Sequence, residues 1–229
     1  MRRSGARTRV GSGTTHARQR GVAIQSPARV PGRSRSLGEL RRAAAGCRAC
    51  DLWEQATQTV FGEGRRDAWL MLVGEQPGDR EDRAGAPFVG PAGELLDRAL
   101  AAAGIDRRAT YVTNVVKHFK WEPRGKRRIH QRPNTEEVRA CRPWFEAELA
   151  LVRPQVILCL GATAAQTLID PSFRVTRQHG DLRPSAFGPM IAATIHPSSV
   201  LRAPEADARH AAYAGLVEDL RRIAASREA

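Results

Sequence analysis

The sequence predicts an α/β fold of three layers, a central four-stranded parallel sheet flanked by helices. Three observations carry this expectation. Four short runs are almost wholly apolar: WLMLVG (69–74), TYVTNVV (110–116), QVILCLG (155–161) and PMIAATI (189–195). Segments with helical start and stop signals separate them. Strands that are apolar on both sides belong in a parallel sheet whose two faces are covered by the helices between them.

Each element has a local cause. Ser36 and Glu39 form a capping box ahead of LGELRRAAAG, a short helix that runs into Cys47. The first strand stops at Gly74. GPAGELLDRALAAAG (90–104) places Pro91 at a helix start and Gly104 at its end. The second strand is β-branched and aromatic. Asn134 and Glu137 make another capping box for TEEVRACRPWFEAELALV, whose middle Pro143 is expected to disturb. ATAAQTLI follows the third strand, and an amphipathic helix over 205–225 closes the chain.

In open sheets of this kind ligands bind beyond the carboxyl ends of the strands. The residues there are Gly74-Glu75-Gln76-Pro77-Gly78, Asn114, Gly161 and His196-Pro197-Ser198-Ser199. Three of these four ends carry polar groups capable of chemistry, which points to one site assembled from several strands.

The 229 residues suit one domain of ordinary size, expected over 37–229 as a monomer. No apolar run reaches the ~18 residues of a membrane span. No apolar stretch follows Met1–Arg3, so the usual secretory pattern is absent, and four cysteines are too few for a disulfide scaffold. A cytoplasmic protein is expected.

Charge is distributed unevenly. Lys+Arg total 37 against 24 Asp+Glu, a formal net of +13. Residues 1–36 hold nine arginines and no acid, and KHFKWEPRGKRRIHQR (117–132) holds seven Lys/Arg and one Glu. The rest is nearly neutral, so the positive field comes from one tail and one loop, and a polyanion is the partner to expect. The tail over 1–36, rich in Gly, Ser, Arg and Pro, cannot bury enough surface to offset ordering and reads as disordered. A transit peptide or a mis-assigned start would share its composition; a plain basic tail would add salt-sensitive DNA affinity.

The motifs have competing readings. GEQPGDRED makes a tight turn that holds Glu75 at its tip, or is merely a turn. Phe88, just before a helix start, is a stacking ring or a core residue. Asn114 offers one acceptor and two donors, the pattern that reads a base edge, or is a strand-end turn residue. His196 could donate from a neutral imidazole to an oxygen gaining negative charge, or be structural. Cys47 and Cys50 form a CxxC, followed after 90 residues by Cys141 and after 17 more by Cys159. A single tetrathiolate site uses all four; spacing does not choose zinc or iron–sulfur. The alternative is a structural Cys159 beside a redox or zinc CxxC. KWEPRGKRRIHQRP (120–133) reads as a long polar loop whose Lys126, Arg127 and Arg128 contact phosphates beside a reactive or stacking group, with Trp121 and His130 flanking them, or is merely a solvated basic loop.

GEQPG, PFVGPAG, VTNVVKHF, KRRIH, the four cysteines and HPSSVLR, taken in order over about residues 37–222, resemble the uracil-DNA glycosylase superfamily. The resemblance is strongest to its iron–sulfur family 4 branch. Gln76 and the KRRIH insertion are similar to the UdgX type rather than to ordinary family 4 enzymes. The resemblance implies a 4Fe–4S cluster on Cys47, Cys50, Cys141 and Cys159. It implies Phe88 stacking on a flipped uracil, Asn114 reading its edge and His196 stabilising the departing anion. Glu75 would assist at the sugar, on a water or on His130, with Gln76, Ser198 and Arg202 lining the site. The expected substrate is uracil-containing DNA, single-stranded as well as duplex, with His130 capturing the sugar. A turnover family 4 glycosylase and a non-enzymatic iron–sulfur DNA-binding module remain the alternatives.

Overall fold

The computed structural model describes residues 26–32 and 34–227. In chain order these form α1 (Leu37–Ala44), β1 (Glu63–Gly64), β2 (Leu70–Gly74), α2 (Asp79–Ala84), α3 (Pro91–Ala102) and β3 (Thr110–Asn114). Then come β4 (Trp121–Arg124), β5 (Arg127–His130), α4 (Thr135–Val152), β6 (Val156–Leu160) and α5 (Ala162–Leu168). The chain ends with α6 (Val175–Gln178), β7 (Arg183–Pro184), β8 (Met190–Thr194), α7 (Pro197–Arg202) and α8 (Ala206–Ala225).

The four expected strands lie together as β3-β2-β6-β8, all parallel, and carry the α/β fold. The sheet is nevertheless six-stranded, because β1 and β7 add an antiparallel pairing at each edge. Both are two residues long, too short to leave a sequence pattern. Strand alternation divides the core into two layers. Met71, Val73, Tyr111, Ile157 and Cys159 pack with α1, α4 and α5 on one face. Leu70, Leu72, Val112, Leu158 and Leu160 pack with α3, α7 and α8 on the other.

The capping signals act largely as the sequence implies. Asn134 Oδ1 accepts the Glu137 N–H at 2.8 Å and Glu137 accepts the Asn134 N–H at 2.7 Å. Ser36 Oγ accepts the Glu39 N–H at 3.2 Å, while the Glu39 carboxylate reaches the Arg35 N–H at 2.7 Å instead of that of Ser36. Helix α4 runs without interruption through Pro143.

Two expectations change. The segment 120–133 is not an open loop: β4 and β5 pair as a hairpin around a Gly125-Lys126 turn, with Gly125 at φ +59°. The packed chain also begins before residue 37, since Ala28 is buried and donates its N–H to the Ala140 carbonyl at 2.8 Å. Residues 1–25 of the expected tail lie outside the described residues.

Candidate active site

The carboxyl ends of the four parallel strands open into a cavity of about 770 Å³. Glu75, Gln76, Phe88, Asn114, His130, His196, Ser198 and Arg202 all line it. Lys126, Arg127, Arg128 and the four cysteines do not.

Register builds the floor. Gly74 and Asn114 are partners at the ends of β2 and β3. A Cβ on Gly74 would stand 2.4 Å from Asn114 Oδ1 and 2.8 Å from Phe88 Cζ, so glycine here permits the amide and the ring to close over one point. Phe88 itself has φ +56°, a left-handed backbone that a bulky residue rarely adopts. Its carbonyl lies where any Cβ on Gly93 would sit, at 1.7 Å, so the α3 start locks this conformation. The half-buried ring packs against the α3/α8 side of the core and also lines the cavity, so it serves both readings that the sequence offers.

His196 is the N-cap residue of α7. Its Nδ1 accepts the Ser198 N–H at 3.2 Å and lies 2.8 Å from Ser198 Oγ. Arg202 donates to that hydroxyl oxygen at 2.9 Å, which leaves the hydroxyl hydrogen for Nδ1. The proton of the neutral ring therefore resides on Nε2. Burial, with Arg202 and His130 nearby, pushes the His196 pKa down to about 4, so the ring is a neutral N–H donor at pH 7. Its ring centroid is 6.0 Å from that of Phe88.

Glu75 stands between two elements. One carboxylate oxygen accepts from Thr163 Oγ1 on α5, a partner that the sequence did not single out. The other lies 3.3 Å from His130 Nε2. Burial and the Arg202 charge lower the His130 pKa, with Glu75 opposing them. The side chain of His130 is 50% exposed, that of Glu75 21%.

The hairpin is held by residues expected to face DNA. Gln76 is buried, and its amide donates to the Lys120 and Gln131 carbonyls at 3.1 and 3.0 Å and accepts the Lys120 N–H at 3.2 Å. These bonds grip both roots of the hairpin, so Gln76 has little left for a ligand. The Arg128 guanidinium binds Asp79, reaches Asp82 at 2.6 Å and Thr57 at 3.2 Å, and lies 5.4 Å from the ring centroids of Phe119 and Trp121. It clamps the hairpin to α2 rather than meeting a phosphate. The acidic run DRED (79–82) lies more than 40 residues before KRRIH, so only the fold brings the two together. Trp121 and His130 are cross-strand partners at the hairpin root, whereas Lys126 is at the tip, ~13 Å away by strand rise. Lys126 and the exposed Arg127 therefore lie towards the hairpin tip, outside the cavity. Arg132, also missed, enters the cavity wall and bonds Gln166 at 2.7 Å.

The cysteines sit apart, on the α1/α4 side of the sheet. Burial is the leading influence on the Cys50, Cys141 and Cys159 thiols, and it raises the pKa of each. Among the described residues no three His, Cys, Asp or Glu side chains stand close enough to hold one metal ion. The four therefore do not form a closed single-ion site with sulfurs ~2.3 Å from one centre. Two sulfurs do receive donors suited to thiolates: Trp144 Nε1–H reaches Cys47 Sγ and the Lys117 N–H reaches Cys141 Sγ, both at 3.2 Å. Burial pushes the Cys50 thiol up to about 11 and Cys141 up to about 12, so their anionic form needs a bound cation.

Residues 61–221 match the family model described as the uracil DNA glycosylase superfamily. Three similar proteins, each a type-4 uracil-DNA glycosylase, come from Pyrobaculum aerophilum, Thermotoga maritima and Archaeoglobus fulgidus. The first is 37% identical over 73% of this chain and 86% of its own, the second 39% over 68% and 78%. The third is 38% identical over 74% of this chain and 85% of its own. The chain belongs to the uracil-DNA glycosylase superfamily, in its type-4 branch. No described helix is long and apolar enough to cross a membrane.

Proposed function

We propose that this protein excises uracil from DNA and captures the resulting sugar covalently through His130. The observation that carries this reading is His130 Nε2 beside Glu75 at 3.3 Å, over a cavity that also holds Phe88, Asn114 and His196. A uracil swung out of the stack lies on Phe88, while the Asn114 amide meets its edge. The glycosidic bond breaks with its electron pair leaving on uracil, and His196 Nε2–H stabilises the oxygen that gains charge. The anomeric carbon then bonds His130, whose ring proton passes to Glu75, and the uracil anion takes a proton from solvent. Because the imidazole is held at the reacting carbon, it competes with water at a very high effective concentration.

A second reading has its own support. The relatives are type-4 glycosylases, and the half-exposed His130 leaves room for water to attack in its place. A time course separates the two. Self-capture releases one uracil per protein and shifts an equal amount of protein to a heat- and detergent-stable DNA adduct. Repeated uracil release with no adduct overturns the capture. Uracil-containing single strands and duplexes are both expected to serve, and no uracil release from either overturns the glycosylase reading.

We further propose a 4Fe–4S cluster on Cys47, Cys50, Cys141 and Cys159. Four thiols on one face, the N–H donors to Cys47 and Cys141 and the type-4 relatives support it. When bound, such a cluster would cross-link the segment after α1 to α4 and β6. Iron and sulfide analysis with a visible charge-transfer band tests it; zinc in their place overturns it.

A further inference from the structure

Behind the cavity lies a charged network that none of the chemistry above uses. Lys117 and Glu148 are buried, their side chains 1% and 0% exposed, and their charged ends are 2.6 Å apart. The ammonium's three donors go to Glu148, to Thr113 Oγ1 at 2.6 Å and to the main-chain carbonyl of Asn114 at 2.8 Å. Glu148 in turn accepts from Gly62 N–H, Tyr111 Oη and Thr113 Oγ1.

A buried ion pair gains little over apolar side chains of similar volume, so stability alone does not account for it. What an ammonium does here that a leucine cannot is hold a carbonyl oxygen. Val115 donates its N–H towards β2, to the Gly74 carbonyl at 2.9 Å, so the Asn114 carbonyl one residue earlier turns to the other edge. There β1 pairs only with Tyr111 and Val112, and the sheet provides no ladder partner for Asn114. Lys117 supplies it. Glu148 lies on α4, which also carries Cys141, and the Lys117 N–H binds the Cys141 sulfur. One residue thus ties the base-reading strand end to the cysteine side of the sheet.

We propose that Lys117 is a positioning residue for uracil recognition, its ammonium fixing the main chain of Asn114 so that the side-chain amide stands over Gly74. The proposal rests on Asn114 reading uracil. The test is a double-mutant cycle on the full-length protein. Lys117→Met with Glu148→Gln removes both charges together, and Asn114→Ala removes the amide; the readout is single-turnover uracil release. The paired substitution should slow release about tenfold or more with iron content unchanged, since the Cys141 contact is made by main chain. In the Asn114→Ala background the same pair should have almost no effect, because Lys117 acts only through that amide. Equal slowing in both backgrounds, or none in the first, overturns the proposal. If Asn114→Ala alone leaves release unchanged, the uracil-reading role of Asn114 falls, and the positioning role with it. Should the pair fail to fold, Thr113→Val keeps the charges, removes one ammonium acceptor and supports the same cycle with a smaller effect.

Discussion

Two histidines face the same cavity from different kinds of structure. His196 caps α7 at the end of a central strand, with Nδ1 satisfied by Ser198 and its pKa pushed down to about 4. His130 ends an exposed hairpin, with half its side chain in solvent and a carboxylate beside Nε2. The first is held as a neutral donor that cannot move or change charge near pH 7. The second sits against a proton acceptor on an element that is gripped only at its root and by one arginine. Fixed elements suit stabilisation of charge on a leaving group; an imidazole beside a carboxylate suits bond formation. On the proposed reading, the difference between the two regions is the difference between release and capture.

Changes in the fixed region should affect both steps. Gly74→Ala places a methyl into Asn114 and Phe88, so uracil release and adduct formation should fall together by about a hundredfold or more, measured in single-turnover assays with folding checked by circular dichroism. Release that survives would show that the base does not sit over Gly74.

Acid should reveal the cost of holding imidazoles neutral. His196 and the buried His118 both have folded pKa values of about 4, below the ordinary 6.5. The unfolded chain therefore takes up protons first as pH falls. Their stabilisation is complete above pH 6.5 and is lost progressively down to about 4, at most about 3 kcal/mol each. Denaturant unfolding between pH 7 and 4.5 should show this slope, and His118→Gln should flatten it by about half. A stability that does not change over that range contradicts the account.

Changes in the hairpin should separate the two steps. Gln76→Ala frees both roots, so capture should slow about tenfold while uracil release holds, seen by quantifying adduct and free uracil in one reaction. The smallest effect is expected at the tip. Lys126→Ala and Arg127→Ala should each weaken DNA binding a few-fold and lower the salt slope by about one, without altering the adduct yield.

How far the sequence discloses this protein follows from the same contrast. The four parallel strands are legible because burial on both faces makes them continuous apolar runs, and Asn134 declares the start of α4 through its side chain. Glu75, Asn114 and His196 are legible because strand ends are where such sheets bind ligands. The hairpin is not: Glu122, Pro123 and Arg124 are exposed, so no alternation marks a strand. Gln76 and Arg128 carry groups suited to a ligand, and only the fold shows that the hairpin and α2 already engage them. Lys117, inside VVKHFK, looks like a surface charge until Glu148 is found beside it, 31 residues further on.

The central claim is that His130, and not water, takes the sugar in this protein. It is tested most directly by incubating the full-length protein and its His130→Ser variant with single-stranded DNA containing one uracil, then running a denaturing gel and measuring free uracil. The wild type should yield a heat-stable band of protein joined to DNA, with uracil released in equal amount. The variant should yield no such band and still release uracil, leaving an abasic strand. A variant that joins DNA as fully as the wild type would contradict the account, because the nucleophile would then lie elsewhere.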